Sequence, residues 1–346
     1  FITKMKESLI GKNLDEFSDL CIELGLENFR SKQLFNWMYR NEVNDLTELK
    51  NLPKSLIGDL KRGHCIHPLE LINSTNSSSE KTNKFLFKTQ SGALIESVLM
   101  NEKNRVTLCI STQVGCALDC KFCATAKMGF KENLSVGEIL DQYLLTRQKI
   151  NKPITNIVFM GMGEPFLNYK NVIKAAKLLN DPNGINMGSK RITISTAGVI
   201  SKIEEFTKSK EKFKLAISLN GTTNEQRTSI MPINMKNSLG ELLNVARKYT
   251  ETVNRWLTFE YVLLKEINDS VEDAKRLLSM LAGMKKCKLN IIPYNETDGE
   301  FRRPDKDQIE NFVIALRPAK FPITVRWSKG TDIDAGCGQL ATRNQV

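Results

Sequence analysis

From residue 106 onward, short apolar runs alternate with longer amphipathic ones, and this alternation constrains the fold more than any other feature. The short runs lie at 106–110, 156–160, 191–195, 214–219, 256–263 and 288–292, and they have the length and composition of buried strands. Helical patterns fill the intervals, at 136–150, 169–179, 239–249 and 271–281. Six βα repeats call for a parallel sheet with helices outside it. The natural closure is a full or partial barrel, whose active site lies at the C-terminal strand ends. Residues 321–327 read as one more strand before an irregular tail.

The chain before this region is different. Leu14, Phe17, Leu20, Cys21 and Leu24 recur at helical spacing and stop at Gly25. A second helical run carries Phe29, Leu34, Phe35, Trp37 and Met38. Asn73-Ser74-Thr75-Asn76-Ser77-Ser78-Ser79 is polar and turn-forming, which predicts a linker. Residues 84–88 and 93–100 flank Ser91-Gly92 like the strands of a hairpin. The expected division is a small N-terminal helical accessory domain with its linker, 1–78, and a core over 79–346. That core opens with the hairpin and ends in a C-terminal loop. No apolar run approaches the roughly 18 residues of a membrane span. The first residues lack a signal-peptide core, and Glu7, Asp15 and Glu16 soon follow. The expected location is the cytoplasm, or an organelle matrix after cleavage.

Lys and Arg number 50 against 39 for Asp and Glu, a net charge of +11 with a pI near 9.2. Such a balance points to a polyanion, with nucleic acid first. The excess is uneven: residues 1–78 carry a net −1 and the remainder +12. The electrostatic footprint therefore belongs to the barrel and hairpin. Phe29-Arg30-Ser31-Lys32-Gln33 and Trp37-Met38-Tyr39-Arg40 mix basic and aromatic residues, although their helical spacing favours a core role for the aromatics. Arg302, Arg303, Arg317, Lys320, Arg326 and Lys329 are better phosphate candidates, weighed against a plain solvated face.

Eight cysteines in a chain this long are too few for a disulfide scaffold. Cys109, Cys116, Cys120 and Cys123 crowd into one segment, which reads as a metal site in a reducing compartment. Cys116, Cys120 and Cys123 form Cys-x3-Cys-x2-Cys just after the first strand. Three thiolates can hold three irons of a [4Fe–4S] cluster and leave the fourth iron open. The alternative is a zinc site completed by Cys109 or Cys337, although no second Cys-x2-Cys unit is present. Cys109, in an apolar strand, reads by default as a packed small hydrophobe. Cys337, between glycines, suits a mobile and reactive loop. Glu96 could simply face solvent from its strand. Cys21, Cys65 and Cys287 read as structural, and His64 and His67 are assigned no chemistry.

The cysteine motif, with Phe122 before its last cysteine, resembles the radical S-adenosylmethionine (radical SAM) superfamily. Gly161-Met162-Gly163-Glu164-Pro165, after the second strand, looks like that superfamily's Gly-Glu-Pro element. The resemblance narrows to the RlmN/Cfr-type RNA methyltransferases over nearly the whole chain. It rests on Gln113-Val114-Gly115-Cys116-Ala117-Leu118, Ser195-Thr196-Ala197-Gly198, Ser218-Leu219-Asn220 and Met231-Pro232-Ile233-Asn234. Two further segments, Ile292-Pro293-Tyr294-Asn295 and 332–340, extend it.

The resemblance implies an α/β fold, a partial (β/α)6 radical SAM barrel with a small N-terminal helical accessory domain. The implied cofactors are a [4Fe–4S] cluster held by Cys116, Cys120 and Cys123, and S-adenosyl-L-methionine. Gly163, Glu164, Ser195, Ser218, Leu219, Asn220 and Asn295 would contact the latter. Asn220 stands where histidine is common in the family. The implied reaction is methylation of adenine C2 in 23S rRNA at the peptidyl-transferase region, and of the adenine 3′ of the anticodon in some tRNAs. Cys337 would take a methyl group, Glu96 would remove the C2 proton, and Cys109 would release the product by forming a disulfide with Cys337. Pro165 and the Val114, Ala117 and Leu118 context resemble the C2 branch. The alternatives are the C8-methylating branch that gives antibiotic resistance and a zinc-stabilised, non-catalytic RNA-binding protein. A flavodoxin or ferredoxin would supply the electron, and a monomer without membrane contact is expected.

Overall fold

The computed structural model describes residues 6–342 apart from Asn51 and Glu80, so the reading of the first five residues falls outside it. One sheet dominates. Its strands are β1 (Leu69–Asn76), β2 (Thr82–Thr89), β3 (Leu94–Glu102), β4 (Arg105–Cys109), β5 (Asn156–Phe159), β6 (Ile192–Thr196), β7 (Lys214–Ser218), β8 (Leu257–Leu263), β9 (Cys287–Pro293) and β10 (Ile323–Val325). Their order in space is their order in the chain. β1 to β4 pair antiparallel, and β4 to β10 pair parallel. β1 and β10 do not pair with each other, so the barrel is partial.

The parallel strands follow from the apolar runs: every residue of β8 is buried, for example, as a strand covered on both faces must be. The helices between them start where short polar side chains stand ready to cap them. Ser135 with Glu138, Ser238 with Glu241, Ser270 with Asp273 and Asp305 with Gln308 each form a reciprocal capping box. These caps place the helices Val136–Gln148, Leu239–Thr252, Val271–Leu281 and Lys306–Ala315 outside the sheet.

The N-terminal helices Leu14–Glu23, Phe29–Tyr39 and Lys54–Gly63 bury Phe17, Leu20, Leu34, Phe35 and Met38. Their hydrophobic core is continuous with that of the barrel. Polar ties reinforce the packing. Glu16 pairs with Lys174, and His67 meets the buried Asp141 at 2.5 Å while Leu69 N donates to the same carboxylate at 3.0 Å.

The polar segment 73–79 is not a linker. Residues as far as Asn76 belong to β1, with Asn73 opposite Leu86 and Thr75 opposite Lys84. β1 is the solvent-facing edge strand, so its outer residues are polar without being irregular. The turn after it is tied to the C-terminal loop. Ser77 Oγ and Ser78 N donate to the Asp332 carboxylate at 2.8 and 3.0 Å, and Lys329 pairs with Glu102 at 3.2 Å.

Candidate active site

The C-terminal ends of the parallel strands surround a cavity of about 610 Å³ that runs down into the barrel. Ten of the thirteen residues expected at the site line it: Cys109, Cys116, Cys120, Cys123, Gly163, Glu164, Ser195, Ser218, Asn220 and Cys337.

The three clustered cysteines sit on a loop between the short strand Gln113–Gly115 and the turn of helix at Ala124–Lys127. Backbone bonds pin the loop: Cys116 N to Gly129 O at 3.1 Å, Lys121 N to Ile230 O at 2.9 Å, and Ala124 N to Gly338 O at 2.8 Å. Gly115, at φ 71°, is required there because a Cβ would lie 1.7 Å from Gly129 O. Burial pushes the Cys116 thiol up to about 12 and also raises the Cys120 thiol well above its ordinary value. Thiolates gathered in such a place need positive charge, and an iron–sulfur cluster provides it. Among the described residues, no three His, Cys, Asp or Glu side chains converge as a single-ion site. The donor set fits a cluster.

Glu164 follows β5 and is 4% exposed. Its carboxylate accepts from Phe166 N at 2.9 Å and Ala197 N at 2.8 Å, and burial pushes it up to about 7. Gly163, at φ 92°, lets the backbone pass Gln113: a Cβ there would lie 2.4 Å from the Gln113 Cβ. Asn220 Oδ1 accepts from Val262 N at 2.8 Å, which ties the end of β7 to β8.

Cys109 closes β4 and Cys337 lies on the C-terminal loop. Both line the cavity, and charge on Cys337 would push the Cys109 thiol up. Cys337 is open to the cavity yet enclosed by protein, and burial pushes it up to about 11. Burial likewise pushes Cys109 up to about 12, and the nearby Arg326 guanidinium opposes both shifts.

Three expected residues lie outside the lining. Leu219 is fully buried, and its backbone is occupied by Glu260 O and Arg227 Nε. Asn295 braces the C-terminal loop, donating to Ser328 Oγ at 2.7 Å and to Cys337 O at 3.0 Å. Glu96 shares a face of β3 with Val98, which pairs with Cys109. Its carboxylate is covered by the tail, accepting from Ala341 N at 3.1 Å.

Other residues were not legible as site components. Arg227 is fully buried and donates to Leu219 O, Asn234 Oδ1 and Ala197 O, so one guanidinium clasps the ends of β6 and β7. Its signal was the Met231–Asn234 motif that follows. Arg326, one of the phosphate candidates, lines the cavity. Arg303 is exposed, and its Nε donates to Tyr294 O at 2.6 Å. Of the aromatics at 29–40, Phe35 and Tyr39 are core and Phe29 is exposed.

The sequence profile of the radical SAM superfamily matches residues 110–278, and that of the "Ribosomal RNA large subunit methyltransferase N-terminal domain" matches residues 8–66. The "Dual-specificity RNA methyltransferase RlmN" of Geotalea uraniireducens is 40% identical, with 95% of each chain covered. The chain belongs to the RlmN family of radical SAM methyltransferases. The "Probable dual-specificity RNA methyltransferase RlmN" of Pseudothermotoga lettingae is 41% identical, over 97% of this chain and 98% of its own. A crystal structure of a radical SAM methyltransferase from Sphaerobacter thermophilus is 38% identical and superposes with a TM-score of 0.93, covering 96% of this chain and 99% of its own. RlmN membership makes the chain a methyltransferase that uses a [4Fe–4S] cluster and S-adenosylmethionine. It also removes the zinc-stabilised, non-catalytic reading.

Proposed function

We propose that the chain methylates C2 of an adenine in the peptidyl-transferase region of 23S rRNA, and the adenine 3′ of the anticodon in some tRNAs. One observation carries the reading: two thiols besides the clustered three, Cys109 and Cys337, line the same cavity. Adenine C2 is electron-poor and has no lone pair with which to attack a sulfonium methyl. A carrier thiol and a resolving thiol overcome this limitation together.

When bound, the cluster and S-adenosylmethionine supply the one-electron chemistry. Cys116, Cys120 and Cys123 hold the cluster, while Gly163, Glu164, Ser195, Ser218 and Asn220 hold S-adenosylmethionine, with Leu219 and Asn295 supporting from behind. Cys337 Sγ, on losing its proton, would take the methyl group of S-adenosylmethionine by displacement, with S-adenosylhomocysteine leaving, and that carbon would join C2 after giving up one hydrogen atom to the one-electron chemistry the cofactors supply. Glu96 removes the C2 proton, and it reaches the base only after the segment carrying Ala341 moves off it. Cys109, deprotonated, would attack Cys337 Sγ: an S–S bond forms, the S–C bond breaks with its electron pair going to carbon, and that carbon takes up a proton to leave the methylated adenine.

The RNA meets the barrel face, where the positive charge is concentrated. A flavodoxin or ferredoxin supplies electrons to a monomer in the cytoplasm. No described helix is long and apolar enough to cross a membrane. The test is mass spectrometry of adenosines from rRNA and tRNA of cells with and without the gene. Loss of 2-methyladenosine with the gene is the expected result. Its persistence, or loss of 8-methyladenosine instead, overturns the assignment.

A further inference from the structure

Within β8, a strand buried along its whole length, Glu260 is the one charged residue. It is 6% exposed and lines the cavity. Its Oε1 accepts from Asn290 Nδ2 at 3.0 Å. Its Oε2 is enclosed and has no hydrogen-bond partner. The Arg326 guanidinium is near enough to favour the ionised carboxyl, yet the two make neither an ion pair nor a hydrogen bond. A buried acceptor left open in an otherwise satisfied cavity wall is the mark of a missing donor.

Register says which donor. Glu260 lies directly opposite Ser218 on β7, and Leu219 N donates to Glu260 O at 2.9 Å. Opposed residues face the same side of a sheet. Glu260 therefore shares the cavity wall with Ser218, one of the residues assigned to S-adenosylmethionine. The methionine part of that cofactor belongs with the clustered cysteines and with Gly163 and Glu164, beyond the end of β5. β8 is three strands away, so the nucleoside part is what reaches it.

We propose that Glu260 binds the ribose of S-adenosylmethionine, its open Oε2 accepting a hydrogen bond from one of the two hydroxyls. This rests on the assignment of the cavity to that cofactor. Asn290 acts beside it as a positioning residue, holding Oε1 so that Oε2 faces the cavity.

The test is equilibrium binding, by calorimetry on the anaerobic, cluster-loaded protein, of S-adenosylhomocysteine and its 2′-deoxy and 3′-deoxy analogues. In the wild type, one deoxy analogue is expected to bind about 10- to 100-fold more weakly than the parent, the usual worth of a hydrogen bond to a charged group. In Glu260→Ala the parent weakens by a similar factor and the gap between parent and analogue closes. Wild-type protein that binds both deoxy analogues as tightly as the parent overturns the proposal without recourse to any variant. So does a gap that persists undiminished in Glu260→Ala. If the wild type fails to bind S-adenosylhomocysteine at all, the cofactor assignment itself fails, and that outcome is distinct from the other two.

Discussion

Lys84 Nζ lies 3.2 Å from Glu96 Oε1, between neighbouring strands, where the carboxylate is completely shielded from solvent. The two pair by charge, since Oε1 accepts no well-aligned hydrogen bond. Burial pushes Glu96 up from the ordinary carboxylate range, and Lys84 is the main influence holding it down. Removing Lys84 therefore raises Glu96 further.

For a carboxyl raised in the folded state, the stability contribution is present in acid and is lost as pH climbs from the unfolded value through the folded one. Lys84→Met should consequently cost little at pH 5 and about 3 kcal/mol at pH 8, the scale of a broken buried pair. Denaturant unfolding at both pH values checks this, and equal losses would refute it. The acid limb of methyl transfer should also move to higher pH.

The roles proposed for the two cavity thiols can be separated by experiment. Cys337→Ala should transfer no methyl group to RNA while still binding S-adenosylmethionine. Cys109→Ala should accumulate a covalent protein–RNA species, because no thiol remains to displace Cys337. A denaturing gel probed for both RNA and protein reads the outcome. Normal turnover by Cys109→Ala would make that residue a packed core thiol and nothing more.

On the proposed assignment each of Cys116, Cys120 and Cys123 is one of three protein ligands, so none is redundant. Replacing Cys116, Cys120 or Cys123 by Ala should abolish the visible iron–sulfur absorption and cofactor cleavage together. Full iron content in any one variant would reassign the ligand set.

Arg227 offers a purely structural test. Its guanidinium satisfies Leu219 O, Ala197 O and Asn234 Oδ1 in the protein interior. Arg227→Met leaves those acceptors short of a donor, at about 1–3 kcal/mol for each group left unsatisfied. Chemical denaturation should show a loss of at least about 3 kcal/mol. A loss below 1 kcal/mol would mean that the clasp is dispensable.

Trp327 lines the cavity mouth and is 55% exposed, placing an aromatic face where an unstacked base would enter. Trp327→Ala should weaken RNA binding by about 1–3 kcal/mol, the worth of one stacked base. The affinity should also fall steeply with salt as phosphate contacts release counterions. An unaltered affinity in filter binding would place the RNA elsewhere.

The sequence disclosed the barrel because its strands are buried on both faces and its helices carry their own capping signals. Strand and helix periods are local properties. β1 escaped because an edge strand is defined by its neighbour: Asn73, Ser74 and Thr75 look like a linker until Leu86, Phe85 and Lys84 lie opposite them. The same holds within the site. The three-cysteine motif is contiguous and was readable from spacing. Arg227, Glu260 and Arg326 act through partners brought together by the sheet, which no local spacing reveals. Glu260 did leave a trace, as a lone carboxylate in an apolar strand.

The C-terminal loop spans the gap that the sheet leaves open. It touches the β1–β2 turn through Asp332, β3 through Lys329 and Glu102, and the cysteine loop through Gly338. Cys337, the proposed methyl carrier, thus rides on the clasp that shuts the barrel, and most of that clasp is polar and lies near solvent. Such fastenings open at a small fraction of the global unfolding free energy. Amide hydrogens of residues 332–341 should accordingly exchange long before those of β5 to β9. Letting RNA in and letting Cys337 travel then become a single event, the unbuttoning of one seam.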